Sequence, residues 1–287
     1  KKVITPRNDD LVSLGNAAWT LLNLLRSKPA PSFASVRSAV HVIAQLLHAE
    51  STLVVKDACW AAVSISELPD PAAIQAVLDA GILARCVALG RSLLEEIQTP
   101  ALRTIGNACT GNDSTTQRVI EAGAIPLLKT LVKHRNVSIR KEACWTFSNI
   151  TAGSDMQVQA VVDAGAIPVL IQAARRDTAE VSAEAVWAIA NTTVGGTFPL
   201  IAELVMNFDF VSTLTECLTS SLQNPTVLSV ALEGLENIAK AFASVEQDEV
   251  QTNLYREART CYDGQMEDSD LLSVLKDLEN HDESVVS

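Results

Sequence analysis

Aromatic side chains are scarce in this 287-residue chain, at 4% of all residues, and glycine (12) and proline (10) are few. A chain rich in Ala, Leu and Val with so few breakers and rings suits stacked helices rather than strands. No apolar run approaches the roughly 18 residues a membrane span needs, and no secretory leader opens the chain, so no membrane partner is expected. The six cysteines, at 59, 86, 109, 144, 217 and 261, show no CxxC spacing and no paired histidines. They read as small buried thiols of a reducing compartment. His41 and His48 stand seven apart with no third ligand nearby. No GxGxxG, P-loop, HExxH or nucleophile elbow occurs. No catalytic residue, metal or cofactor is expected, and an enzyme is disfavoured.

Basic stripes are missing too. The net charge is −12, and from Ser244 to the end 12 acids face three bases, leaving only −3 for residues 1–243. With nothing to neutralise phosphates, nucleic acid is not an expected partner. Most of the acidity sits in the last stretch, so a basic ligand has to be argued from placement rather than from totals.

What is present is a ruler. Lys141-Glu142-Ala143-Cys144-Trp145-Thr146-Phe147-Ser148-Asn149 is echoed 42 residues later by Glu184-Ala185-Val186-Trp187-Ala188-Ile189-Ala190-Asn191. It is also echoed upstream by Asp57-Ala58-Cys59-Trp60 and by Asn16-Ala17-Ala18-Trp19, with Asn23 following. Asn107, Asn149 and Asn191 are 42 apart, and Asn23 precedes Asn107 by 84. Gly81, Gly123 and Gly165 keep the same period, each inside an acid-Ala-Gly phrase, and the last two phrases run on to Ile-Pro. Glycine closes one helix and proline fits the first turn of the next. Each unit of about 42 residues therefore holds a short helix, a glycine turn, a second helix and a longer third helix, the mark of a solenoid.

These phrases, with Thr99-Pro100-Ala101-Leu102-Arg103, Gly106-Asn107 and Thr110-Gly111-Asn112-Asp113, resemble the armadillo repeats of importin-α (karyopherin-α). The resemblance is dense from about Asn16 to about Lys240. It implies an all-α, right-handed superhelical solenoid, one array divided near 1–28 (partial), 29–69, 70–111, 112–153, 154–195, 196–243 and 244–287 (partial and divergent). The abrupt start and end suggest a fragment from the C-terminal part of such a repeat domain.

Along the chain, residues 1–9 are expected to close a truncated second helix, and Asp10–Arg26 to form a third helix. Residues 29–69 should hold helices around Val36–Ala49 and Leu53–Ser66. Three regular units follow, each ending in glycine. Asn237 lies 46 rather than 42 after Asn191, which predicts a longer loop. The last unit should have a helix over Val245–Tyr262, an acidic mobile loop over Gly264–Asp270, and a helix over Leu271–Leu278.

Glu142, Trp145, Ser148 and Asn149 share one side of their helix, while Ala143, Phe147 and Ile150 form the natural core set. At the Trp position other units carry Arg103 and Glu233. A position that tolerates Trp, Arg or Glu is not buried, because an unpaired buried charge costs too much. The face is therefore expected in solvent. Indoles can flank the stem of a Lys or Arg, and Asp57, Glu142 and Glu184 can meet its tip. Asparagine amides suit the backbone of an extended peptide.

The resemblance sharpens this expectation to the basic nuclear localisation signals (NLS) of cargo proteins. It implies a minor site of Arg103, Asn107, Thr110, Glu142, Trp145, Ser148, Asn149, Glu184, Trp187 and Asn191, and a remnant of the major site in Trp19, Asn23, Asp57 and Trp60. It further implies importin-β as a partner through an N-terminal segment absent here, a nuclear export receptor through the last repeats, and shuttling between cytoplasm and nucleus. Ser64 stands where the family more often has tyrosine, and Ala190 where it has serine. The rival reading is an adaptor of the β-catenin kind, which grips acidic peptides with a basic groove. A purely structural scaffold comes third.

Overall fold

The computed structural model describes residues 8–220, 224–245 and 252–279, and every regular element among them is an α-helix. The chain divides into two compact units, Lys1–Leu128 and Lys129–Ser287.

In the first unit α1 (Asn8–Leu25) is followed by α2 (Phe33–Leu46), α3 (Thr52–Ser66), α4 (Pro71–Asp79), α5 (Ile82–Leu89), α6 (Glu95–Ala108) and α7 (Asp113–Glu121). The long helices α1, α3 and α6 pack in sequence, α3 against both of the others. Buried Val54, Ala58, Ala61, Ala62 and Ile65 supply the contact surface of α3. Small residues there let the helices approach closely while the branched ones fill the gaps. Asp70 caps α4 by accepting from the Ala72 N–H at 2.9 Å. Helix α6 begins five residues before Pro100, which is enclosed within it. The ring forgoes one backbone hydrogen bond. Gln98 in the same turn donates to the Gly90 carbonyl at 2.8 Å and ties α6 to the end of α5.

The boundary between the units falls within α8 (Ala124–Leu131). The second unit continues with α9 (Val137–Thr151), α10 (Asp155–Asp163), α11 (Ile167–Arg176), α12 (Ala179–Asn191), α13 (Phe198–Phe208), α14 (Phe210–Ser220), α15 (Pro225–Ala243), α16 (Asn253–Asp268) and α17 (Leu271–Glu279). Here α12 packs on α9 and α15 on α12. Ile139, Ala143, Phe147 and Ile150, at helical spacing on α9, are fully buried. This unit also holds a half-buried bidentate ion pair. Arg140 Nε and Nη2 each donate to Asp177 at 2.7 Å, and Nη1 donates to the carbonyls of His134 and Arg135. Burial pushes the Asp177 carboxyl up, but the hydrogen bonds from Arg140 and Thr178 outweigh it and hold the group below the usual carboxylate range.

The glycine turns lie where the period puts them. Gly123 (φ +80°) and Gly165 (φ +64°) adopt the left-handed conformation between the first and second helices of their units. At the corresponding break between α13 and α14 the chain uses Asp209, at φ 54°. Aspartate tolerates this region better than most residues, and its carboxylate lies 3.5 Å from Arg175 Nη1. The starts of α13, α14 and α15 follow those of α10, α11 and α12 by 43, 43 and 46 residues. The longer connection thus sits between α14 and α15, a segment that includes 221–223, outside the described residues.

Three expectations are corrected or displaced. Helix α1 starts at Asn8, and the rest of the expected turn lies outside the described residues. The helix expected over Val245–Tyr262 begins at Asn253 with Thr252 as its cap, while 246–251 lie outside the described residues. The loop expected at Gly264–Asp270 is helical through Asp268. Gln265 explains this: Nε2 donates to the Val205 carbonyl at 2.6 Å and Oε1 accepts from the Val211 N–H at 3.0 Å. That clamp across the α13–α14 break needs Gln265 on a helix. Tyr262 stacks on Phe242 at 4.6 Å and Asp263 pairs with Arg259 at 2.9 Å, adding support.

Cys59, Cys86, Cys109, Cys144 and Cys217 are buried and Cys261 half-buried. Burial pushes the thiols of Cys86, Cys109, Cys144 and Cys217 up to about 12, so they stay protonated at neutral pH. No single helix among the described residues is long and apolar enough to cross a membrane.

Gly123→Ala should lower stability by about 1 kcal/mol in urea unfolding, because a Cβ there meets open space and only the left-handed backbone is penalised. Asp177→Asn should flatten the acid limb of stability. The depressed carboxyl stabilises the fold at neutral pH and loses that contribution as pH falls through its folded-state value. Melting curves from neutral to acid pH should therefore converge for the two proteins at the acid end.

Candidate functional site

Each long third helix has its buried stripe against its neighbours and one strip left over. On α1 that strip carries Trp19, 61% exposed, and Asn23, whose amide donates to its own helix at the Trp19 carbonyl, 2.8 Å. On α3 it carries Asp57, Trp60 and Ser64, all half-buried. The Ser64 hydroxyl donates to the Trp60 carbonyl at 3.0 Å. The Trp60 indole already has a cation on it, for the Arg26 guanidinium lies 4.8 Å from the ring centroid. On α6 the half-buried Arg103 pairs with Glu67 at 3.4 Å, and just past its end Thr110 is exposed.

Asn107 is only 6% exposed, and its amide donates to the Ser66 hydroxyl at 2.9 Å. It lines an open cavity of about 510 Å³ with Glu67, Asp70, Thr110 and Asn112, at the C-terminal ends of α3 and α6. The expectation that Asn107 lies open on the face is thus corrected. It is a cross-helix tie that reaches the surface through a cavity.

In the second unit Glu142, Trp145 and Asn149 on α9 and Glu184 and Asn191 on α12 are half-buried, and Trp187 is 36% exposed. Glu233 on α15 is exposed, as a charged residue at the Trp position demands. Ser148 departs from expectation at 6% exposure. Its hydroxyl turns to the Trp145 carbonyl at 2.8 Å, and its own carbonyl accepts from Asn191 Nδ2 at 2.9 Å. It is covered because α12 closes over that edge of α9.

A rule emerges that the repeat alone did not disclose. Asn107, Asn191 and Asn237 each donate to a group about one period upstream: Ser66 Oγ, the Ser148 carbonyl and, at 3.3 Å, Thr193 Oγ1. An amide has two N–H groups and an acceptor oxygen. One N–H ties helix to helix, leaving one donor and one acceptor for a ligand. Of the missed residues, Ser66 and Thr193 had one legible signal, a Ser or Thr about one period before an Asn, and Arg26 had none. On α9 and α12 the strip thus carries carboxylate, indole and amide together, while in the first unit α1 carries indole and amide and α3 carboxylate and indole.

Comparison with known proteins fits this geometry. The Armadillo/beta-catenin-like repeat family model matches residues 112–152 and 154–194. Importin subunit alpha-7 of Arabidopsis thaliana is 46% identical over 107 residues, 37% of this chain and 20% of the relative. Importin subunit alpha-1a of Oryza sativa is 44% identical over the same length and shares. The chain is an armadillo-repeat array, and its matched segment is similar to importin-α subunits. The matched segment spans about a fifth of each relative's length. Among solved structures, a designed armadillo-repeat protein in complex with the peptide (KR)4 aligns at TM-score 0.64 and 27% identity, covering 82% of this chain and 95% of its own.

Asn191→Ala should cost about 1 kcal/mol of stability, as a cross-helix hydrogen bond is lost. Asn23→Ala, which removes only a bond within one exposed turn, should stay within about 0.5 kcal/mol. Chemical denaturation of both variants checks the contrast, and equal losses would refute the tie.

Proposed function

We propose that this array is a nuclear-import adaptor that holds the basic localisation signal of a cargo protein, extended, along its indole and amide strips. The observation that carries the reading is the repetition of acid, indole and amide on one helical face of two packed helices. Glu142, Trp145 and Asn149 stand on α9; Glu184, Trp187 and Asn191 stand on α12.

Packed helices lie about 8–10 Å apart, and an extended chain advances about 3.3 Å per residue, so each helix addresses about three peptide residues. The remaining amide N–H donates to the peptide backbone and the amide oxygen accepts from it, without reading sequence. The indoles wall off the methylene stems of Lys or Arg, and the carboxylates meet the tips. The molecule contains an instance of this chemistry in Arg26 over Trp60. The designed relative's partner, (KR)4, is a peptide of the same class. In this reading α9 and α12 bear the minor-site residues Glu142, Trp145, Ser148, Asn149, Glu184, Trp187 and Asn191, with Ser148 acting through its carbonyl. Arg103, Asn107 and Thr110 serve a basic peptide from the first unit, where Trp19, Asn23, Asp57 and Trp60 are the major-site remnant. Arg103 is paired with Glu67 and so offers no spare charge to an acidic ligand, which counts against the β-catenin-like alternative.

The adaptor has no chemistry of its own to perform, and binding is its whole function. Its full-length form works with importin-β, through a segment preceding the repeats, and with a nuclear export receptor through the last repeats, moving between cytoplasm and nucleus.

A fluorescent Lys/Arg-rich signal peptide should bind, with affinity falling as salt is added. The Trp145→Ala/Asn149→Ala double variant should lose most of it, since anchors of this kind contribute about 2 kcal/mol or more each. Unchanged affinity by titration calorimetry, in a variant that still melts cooperatively, would sink the reading.

A further inference from the structure

The second unit contains a basic cavity that the peptide strip does not use. About 370 Å³ in volume, it lies between the end of α8, the first turn of α9 and α11, and is lined by Lys133, His134, Arg140, Gln172, Arg176 and Asp177 over an apolar floor. In a chain of net charge −12, three permanent cations here face one carboxylate. That carboxylate, Asp177, is taken bidentately by Arg140. Arg140 also caps the His134 and Arg135 carbonyls, which would otherwise repel an anion. The neighbouring acids are matched as well: Glu180 lies 3.5 Å from Lys141, and Glu216 is closed on Arg175.

Lys133 and Arg176 remain, both exposed, and among the described residues neither has a carboxylate within ion-pair distance. His134 adds a directed donor. Its Nδ1 accepts from the Asn136 N–H at 3.0 Å, which places the proton of the neutral ring on Nε2. The exposed Gln172 amide completes the rim.

We infer that this cavity is a second binding site, for an oxyanion-bearing side chain of a peptide, with Lys133 and Arg176 as the charged clamp and His134 and Gln172 as further donors. The ligand chemistry is a tetrahedral or planar oxyanion. Phosphoserine and glutamate are the two sources, and phosphoserine fits better because two cations can share its nearly two negative charges. The inference is independent of the basic-peptide strip, for the clamp residues lie on α11 and the α8–α9 turn rather than on the solvent strip of α9 and α12.

The test uses the whole chain and one short neutral peptide in three forms, carrying phosphoserine, glutamate or serine at its centre, with inorganic phosphate alone as a fourth arm. Fluorescence anisotropy should show the phosphoserine form binding best, the glutamate form more weakly and the serine form not at all. Lys133→Glu/Arg176→Glu should weaken the phosphoserine form by at least about tenfold, as loss of a complementary charge pair does. Gln172→Glu, a change at an exposed position that leaves the fold intact, should do so as well. Binding of a Lys/Arg-rich peptide should be unchanged in these variants, which separates this site from the strip. Equal affinity for the serine form, phosphopeptide binding that survives Gln172→Glu, or retention of inorganic phosphate alone would each overturn the proposal.

Discussion

Packing of third helix on third helix is the constraint from which the rest follows. Within the first unit α3 lies between α1 and α6; within the second, α12 lies between α9 and α15. A helix held on two sides along most of its length has little perimeter left. What remains is one strip, and side chains on it need neither fit a core nor satisfy a partner. That freedom is why Trp, Arg and Glu interchange there while Ala143, Phe147 and Ile150 stay fully buried. The amide ties then fix how far each helix slides along the last. A hydrogen bond from Asn191 to the Ser148 carbonyl forms at one axial offset only. Register and, in the proposed reading, the grip on a peptide backbone thus reside in the same side chain.

Sequence alone makes the period, the three-helix unit and the core stripe of α9 legible, because each rests on local rules: helical spacing, glycine's access to positive φ, and proline's place in a first turn. The acid, indole and amide strip is legible for the same reason. Its depth is not. Asn107 and Ser148 are buried by the closing of a neighbouring helix, and nothing in their own helix announces this. Gly264 to Asp268 looks like a loop by composition, yet Gln265 bonds to residues 54 and 60 positions away and holds it helical. Asp209 takes the left-handed conformation that glycine takes at 123 and 165, and its carboxylate faces Arg175. In each case a long-range contact overrides a local preference.

Helix α9 also shows how one element serves two charge environments. Arg140 in its first turn points into the ion pair with Asp177, while Glu142, Trp145 and Asn149 occupy other angular positions. Lys141 beside them lies 3.5 Å from Glu180. Were Arg140 without Asp177, its charge would weaken the field that the nearby carboxylates present to a cation. Bidentate pairing makes the side chain locally neutral, and the low exposure of both partners, 16% and 15%, keeps it so across salt concentrations that screen surface charges.

The separation matters because indole and amide contacts carry no sign. An Asn amide serves any extended backbone, and an indole wall accepts any methylene stem. In the proposed reading only the carboxylates of the strip distinguish lysine and arginine from leucine or glutamate, and they do so only if no unpaired cation of the protein competes for them. Arg26 on Trp60 and Arg103 on Glu67 mark where the chain itself competes. On α9 the cations Arg140 and Lys141 each have an acid of their own, and in the proposed reading the discrimination falls to the carboxylates of the strip. In that reading a strip of generic grips acquires a sign preference through the pairing of the cations on its own helix.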